Sequence, residues 1–267
     1  MRWTYFIMLL AAAGLLCVKG TVDAQRAPGG DGTMRRIRVP ILMYHYVSPL
    51  PADADDTRRD LTIPPDVFAA HLQYLTDEGY HTISLYQLYD ALMQGTTLPP
   101  KPVILTFDDG YLDHYTSVFP ALQKYGFTGT FFVITGRADA GDPAYLSWAQ
   151  IDAMAQAGMS MEAHTKSHLT LDARDRDFLI YELLGSQESL QAHANVPARM
   201  LSYPVGRYDD QTLQITREVD YWLAVTTQSG NRLVSTSPLE LPRIRVNGAT
   251  GPTGIAYLLR GDWLDSN

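Results

Sequence analysis

One alternation constrains this chain more than any other feature. Eight short apolar runs (Val39–Tyr44, Thr82–Leu85, Val103–Phe107, Thr130–Thr135, Ser160–Ala163, Met200–Tyr203, Tyr221–Thr226 and Arg243–Val246) are separated, for the most part, by stretches with helical spacing of apolar residues. Strands that are apolar throughout are buried on both faces, as in parallel sheets covered by helices. Seven or eight such units in one chain of 267 residues point to a closed α/β barrel of a single domain, with an open covered sheet as the alternative. Between the runs, Phe68, Leu72 and Leu75 recur at helical spacing before Gly79, and Ser147-x-x-Gln150 reads as a capping box opening a helix through Met154. The segment from Asp175 to His193 predicts a longer helix with Ile180, Leu183, Leu184 and Leu190 inward, and Pro120 should kink its segment or mark the true start of a helix.

Residues 1–24 predict an export signal: Arg2 precedes a 13-residue apolar run from Phe6 to Val18, and Val22-Asp23-Ala24 offers small residues where a signal peptidase cuts. The run is short for a bilayer span, which takes ~20 residues, so association with a membrane is expected only if this segment stays uncleaved. Residues 25–36 read as a polar, Gly-containing linker and residues 37–267 as the domain, placed outside the cytoplasm. The only cysteine, Cys17, lies within the apolar run, so the mature domain has neither a disulfide framework nor a cysteine nucleophile or ligand. A net charge of −8 argues against nucleic acid as a partner.

The chemistry concentrates where strands end. Asp108 and Asp109 close the run Val103–Phe107, and Gly110 permits a turn that could aim both carboxylates at one site. Taken alone, the pair could equally cap a helix. The run Ser160–Ala163, however, ends in His164-Thr-Lys-Ser-His168, and two histidines four apart share a face if the chain makes a helical turn there. Two imidazoles and one carboxylate leave positions open for water and substrate, as a catalytic divalent metal requires, whereas a structural zinc takes four protein ligands. The remaining carboxylate can then take a proton from the attacking water. His45, at the end of the first strand, reaches the same rim and can donate a proton near neutral pH.

Thr106-Phe-Asp-Asp-Gly110, His164-Thr-x-x-x-His168 and Tyr203-Pro-Val-Gly206 resemble, in order and spacing, the three motifs of the polysaccharide deacetylases of carbohydrate esterase family 4, which share the NodB homology domain. The resemblance spans roughly residues 37–260 and implies a distorted (β/α)7 barrel that removes N-acetyl groups from N-acetylglucosamine-containing extracellular or cell-wall polysaccharide. It implies Asp108 as general base, Asp109, His164 and His168 as ligands of a divalent metal (Zn2+ first, with Co2+ or Ni2+ acceptable), and the Val205 N–H as an oxyanion donor. Tyr203 would lie along the substrate, and Tyr111 and His114, which follow the aspartates closely, are expected to line the groove.

The chain departs from the family pattern at two places. Ser202 stands where many members carry an arginine, and no histidine follows His193 to serve as the late general acid. Met43-Tyr-His-Tyr-Val47 resembles the opening strand of the poly-N-acetylglucosamine deacetylases, whose motif order is circularly permuted, and this implies His45 as the general acid. Arg243 or Arg245 could replace the arginine and hold Asp108; alternation along the strand would turn only one to the site, Arg243 in this reading. Trp148 and Trp222 could stack on sugar rings or belong to the core. A glycosidase using two carboxylates, a catalytically impaired carbohydrate-binding barrel and a two-histidine, one-carboxylate iron oxygenase are the competing readings.

Overall fold

The computed structural model describes residues 29–260; the expected export segment, the first residues of the linker and residues 261–267 lie outside the described residues. Twelve strands are described: β1 Arg36–Arg38, β2 Ile41–Tyr44, β3 Tyr46–Val47, β4 Thr62–Ile63, β5 His81–Thr82, β6 Pro102–Phe107, β7 Thr130–Val133, β8 Ser160–Ala163, β9 Met200–Ser202, β10 Leu223–Ser229, β11 Arg232–Val234 and β12 Leu241–Arg245. The α-helices are α1 Asp56–Leu61, α2 Pro65–Asp77, α3 Leu85–Gln94, α4 Phe119–Tyr125, α5 Thr135–Asp139, α6 Trp148–Gln156, α7 Arg176–Ala194, α8 Asp210–Glu218 and α9 Gly254–Arg260.

Seven strands close a parallel barrel in the order β2-β12-β10-β9-β8-β7-β6, with β2 pairing both β12 and β6. The distortion lies between β10 and β12, where the register shifts between Val225 and Ser229 and the connection is β11, paired antiparallel with β1, in place of a helix. The eighth expected strand, Thr82–Leu85, does not join the ring. Only His81 and Thr82 pair, against the start of β6, because Ser84 and Gln87 form a capping box that opens α3 at Leu85.

Side-chain alternation divides the core into two layers. Ile41, Ile104, Phe132, Met200, Leu223, Val225 and Leu241 fill the barrel together with Leu85, Leu88 and Leu92 of α3, so α3 plugs the end where the strands begin. Their neighbours Leu42, Tyr44, Leu105, Phe107, Phe131 and Leu201 face outward onto Phe68 and Leu72 of α2, Leu122 of α4, Ile151 of α6 and Leu183 of α7. With the opposite end plugged and the outside covered, the open mouth lies at the C-terminal ends of the strands.

The helix starts agree with their capping signals: Ser147 caps α6 with Gln150, Asp175 caps α7, and Pro120 sits in the first turn of α4 after a π-helical turn over His114–Val118. The buried face of α7 is Leu179, Glu182, Leu183, Ser186, Gln187 and Leu190, while Ile180 and Leu184 are only half-buried. Apolar spacing misjudged that face because one of its buried members is a glutamate. The charged segment 48–60 ends in α1, and Arg58 lies 3.2 Å from the centre of the Tyr46 ring at the rim of the mouth.

Candidate active site

β6 delivers Asp108 and Asp109 to the mouth. The turn begins at Asp109 itself, whose φ is 77°, and continues through Gly110 at 74°; aspartate tolerates this left-handed region better than most residues, and glycine adopts it without strain. A side chain at 110 would press on Val133 of β7. The two carboxylates, on either side of the point where the strand turns, acquire different partners.

Asp108 is 2% exposed and Arg243 1%. Their pairing is bidentate, Nη1 to Oδ1 at 2.7 Å and Nη2 to Oδ2 at 2.6 Å. Arg243 crosses the barrel interior from β12, and it also donates to Thr106 Oγ1, Ser202 Oγ and the Thr226 carbonyl at 3.0, 3.1 and 2.9 Å. Burial pushes the Asp108 carboxyl up, but the adjacent guanidinium outweighs it and brings the pKa to about 2. Arg245 pairs instead with Asp60 on the rim, at 3.1 Å. The two arginines are two residues apart and share a strand face, so alternation does not separate them; depth along the barrel does. Ser202, fully buried where a longer side chain was expected, leaves the space that Arg243 fills and donates to Asp108 Oδ2 at 3.3 Å.

Asp109 faces the histidines. Its Oδ1 lies 3.3 Å from Nε2 of His164 and 3.3 Å from Nε2 of His168, yet this buried oxygen meets hydrogen-bond geometry with neither ring. The three ligand atoms lie within 4.8 Å of one another. His164 Nδ1 stands 2.7 Å from the Ser202 carbonyl, which can only accept, so Nδ1 carries a proton and, in the neutral form of the ring, the lone pair of Nε2 points toward Asp109. Lone pairs converging from a carboxylate and two neutral imidazoles repel unless a proton or a metal cation lies between them. Two ligands at about 2.0–2.1 Å from a tetrahedral centre stand about 3.3 Å apart. The donor set therefore fits a divalent metal. Burial opposes ionisation of Asp109, but His164 and its charge hold the carboxyl well below its ordinary range; burial and the charge of His164 depress His168 to about 4. Burial also works against a charged His164, and the two aspartates outweigh it and raise its pKa.

The segment joining the histidines is not the expected helical turn. Thr165 and His168 take φ of 63° and 60°, and the His168 N–H donates to Thr165 Oγ1 at 3.1 Å. Two left-handed residues fold the chain back so that the rings meet with centres 4.8 Å apart.

His45 follows β2 at the same mouth, half-buried, with Nδ1 buried and unpartnered. Burial lowers its pKa, and the negative charges of Asp108 and Asp109 resist without prevailing. The segment around it is tied to the turn after β6: His114 Nε2 donates to the His45 carbonyl at 2.8 Å, and Asp113 Oδ2 accepts from the Val47 N–H at 3.1 Å. His114 is fully buried under the mouth and does not line it. Tyr111 does lie at the mouth, stacked on Tyr46 at 3.6 Å and close enough to Asp109 for that charge, after burial, to push its phenol up.

The third motif forms a tight turn over Pro204–Gly206 in which Val205 has φ 57° and is 60% exposed. Tyr203 does not lie along the mouth as expected: its side chain is fully buried in the layer between sheet and helices, stacked on Tyr208 at 4.5 Å. Trp148 and Trp222 are engaged elsewhere, Trp148 against His193 at 4.5 Å and Trp222 between Tyr86 and Tyr89.

Residues 95–224 match the polysaccharide deacetylase family. The chain is 34% identical over 227 residues to YxkH of Bacillus subtilis, which bears the polysaccharide deacetylase name; the match covers 85% of this chain and 78% of that protein. It is 24% identical over 247 residues to the poly-β-1,6-N-acetyl-D-glucosamine N-deacetylase of Escherichia coli, covering 77% of this chain but 36% of that protein. Among solved structures, the Streptococcus pyogenes deacetylase PplD in complex with acetate is similar with a TM-score of 0.78 at 35% identity, over 84% of this chain and 99% of that one.

Proposed function

This chain belongs to the polysaccharide deacetylase family, and from that premise we propose that it hydrolyses N-acetyl groups on N-acetylglucosamine units of an extracellular or cell-wall polysaccharide, with Zn2+ held by Asp109, His164 and His168. The observation that carries this reading is the division of labour between adjacent carboxylates: Asp109 faces two imidazoles, and Asp108 is locked to a buried arginine. A bound divalent cation supplies a Lewis acid for the acetamide carbonyl and acidifies water at the site. Co2+ or Ni2+ suits the same donor set.

Asp108 is the general base. Arg243 keeps it ionised and aimed at every working pH, but also weakly basic, so its task depends on an acidified water. His45 is the general acid for the departing amine: an imidazole whose pKa is lowered by burial surrenders its proton readily once charged. The Val205 N–H, held in its left-handed turn, is the oxyanion donor, and Tyr111 borders the sugar. The similarity to a poly-β-1,6-N-acetylglucosamine deacetylase supports that polymer as the first substrate to try. The reading of export is supported by Arg2, the apolar run Phe6–Val18 and the small residues of Val22-Asp23-Ala24.

The test is acetate release from a panel of acetylated polymers: β-1,6-linked poly-N-acetylglucosamine, peptidoglycan, chitin and acetylated xylan. Release from a glucosamine polymer that a chelator abolishes and Zn2+ restores is expected; new reducing ends without acetate would contradict the reading.

A further inference from the structure

Glu182 lies on α7, outside every motif that marks the site, and is 1% exposed. Its Oε2 accepts from the backbone N–H of Lys166 at 3.0 Å and of Ser167 at 2.9 Å, and its Oε1 from the Ser167 hydroxyl at 2.5 Å. All three donors belong to the turn between His164 and His168. On the other side of that turn, the N–H groups of Thr135 and Gly136 in α5 donate to the carbonyls of Thr165 and Lys166 at 3.1 and 2.8 Å. A side chain at 136 would collide with the Lys166 carbonyl. The turn is thus held by acceptors from α7 and donors from α5. It needs holding, because Thr165 and His168 both sit at positive φ, where non-glycine residues persist only when their surroundings impose it.

Packing alone does not explain a carboxylate here. Lys166 Nζ, the nearest cation along the chain, is engaged by Asp139 at 2.6 Å and Ser189 at 3.0 Å, so the three donors of the turn are the hydrogen-bond partners of Glu182. A buried carboxylate satisfied by N–H and O–H donors is costly to form and rigid once formed.

We propose that Glu182 is a positioning residue of the metal centre: by fixing the turn that brings His168 back to His164 and Asp109, it sets the affinity for the cation. The proposal rests on the reading of those three residues as metal ligands. Groups behind metal ligands typically change affinity by about 10–100-fold when removed.

The test uses the full chain, stripped of metal and titrated with Zn2+ against a chromophoric chelator, alongside the visible spectrum of the Co2+-loaded protein. Glu182→Met keeps the length and removes the acceptors; Zn2+ binding about tenfold weaker or more, with an altered Co2+ spectrum, is expected. Glu182→Gln can present one oxygen to both N–H groups and its amide N–H to Ser167 Oγ, so it should stay close to wild type. Wild-type Zn2+ affinity in Glu182→Met, even with a lower Tm of the metal-free protein, would reduce Glu182 to a structural role and overturn the proposal. So would a Glu182→Gln variant as weak as Glu182→Met. If Glu182→Met does not fold, Ser167→Ala decides, since it removes only the hydroxyl bond: weaker Zn2+ binding and a changed Co2+ spectrum support the proposal, and no change in either overturns it. Failure of the wild-type protein to bind Zn2+ would overturn the metal reading itself, a result distinct from equal binding by wild type and variant.

Discussion

Arg243→Met is the perturbation whose magnitude the structure specifies most fully. The change keeps the volume of the side-chain stem and removes the guanidinium, and with it five hydrogen bonds: two to Asp108 and one each to Thr106, Ser202 and Thr226. In the native protein, attraction to Arg243, with smaller contributions from His164 and His45, exceeds the cost of burial, because the Asp108 pKa falls from 3.8 to about 2; at ~1.4 kcal/mol per pKa unit this net shift is worth roughly 2–3 kcal/mol. Without Arg243, Asp108 becomes a buried, unpaired charge next to Asp109. Removing one partner of such a pair costs about 3–5 kcal/mol, a large share of the roughly 5–15 kcal/mol that holds a domain folded. The sign with pH follows from linkage. In wild type the depressed Asp108 pKa contributes stability above 3.8 that is lost as pH falls toward about 2. In the variant, the penalty should shrink as pH falls, because protonating Asp108 removes the charge that lacks a partner. Urea unfolding of metal-free protein at pH 7 and pH 5 measures both, and a double-mutant cycle with Asp108→Asn isolates the pair. A loss below about 1 kcal/mol, or strictly additive mutations, would refute the view of this pair as a buried clamp.

Glu162, on β8 and 1% exposed, accepts from Ser160 Oγ at 2.8 Å and from the Met200 N–H at 2.9 Å, yet burial raises its pKa from 4.5 to about 7. The native state therefore holds a proton that the unfolded chain releases between these values, and stability falls as pH rises from 4.5 to about 7. Glu162→Gln should remove this fall, gaining roughly 3 kcal/mol at pH 8 and little at pH 4.5; parallel denaturation profiles for variant and wild type would contradict the assignment. His45→Ala should lower kcat by about 10²–10⁴-fold with metal content unchanged by elemental analysis, and full activity would remove His45 from the reaction.

Much of the barrel is legible in the chain because its strands are apolar on both faces. Val103–Phe107 could hardly be anything else, and the residues following it, like those following Ser160–Ala163 despite Glu162 on that strand, are delivered to one rim by topology alone. The pairing of two aspartates with two histidines is likewise visible as a pattern of residue types at strand ends. Backbone conformation is not visible in that way. Nothing in the spacing of His164 and His168 distinguishes a helical turn from two left-handed residues, and that turn is specified from a distance, by Glu182 on α7 and the N–H groups of α5. A glutamate on a helix reads as solvent-facing, so both Glu182 and the true buried face of α7 escaped apolar spacing. Arg243 was expected for an incorrect reason: what selects it over Arg245 is depth, together with the space left by Ser202. His114 and Tyr203 looked like groove residues from their nearness to the motifs, but His114, in the π-helical turn after β6, packs on Phe107 and Phe131, and Tyr203 stacks on Tyr208.

The central claim is that adjacent aspartates divide the work, Asp109 holding the cation with the histidines and Asp108 moving the proton. The most direct measurement is metal content and acetate release on Asp108→Asn and His164→Ala, purified in parallel and supplied with Zn2+. Asp108→Asn should keep its metal and lose turnover, while His164→Ala should lose both. Metal lost from Asp108→Asn and kept by His164→Ala would contradict the account.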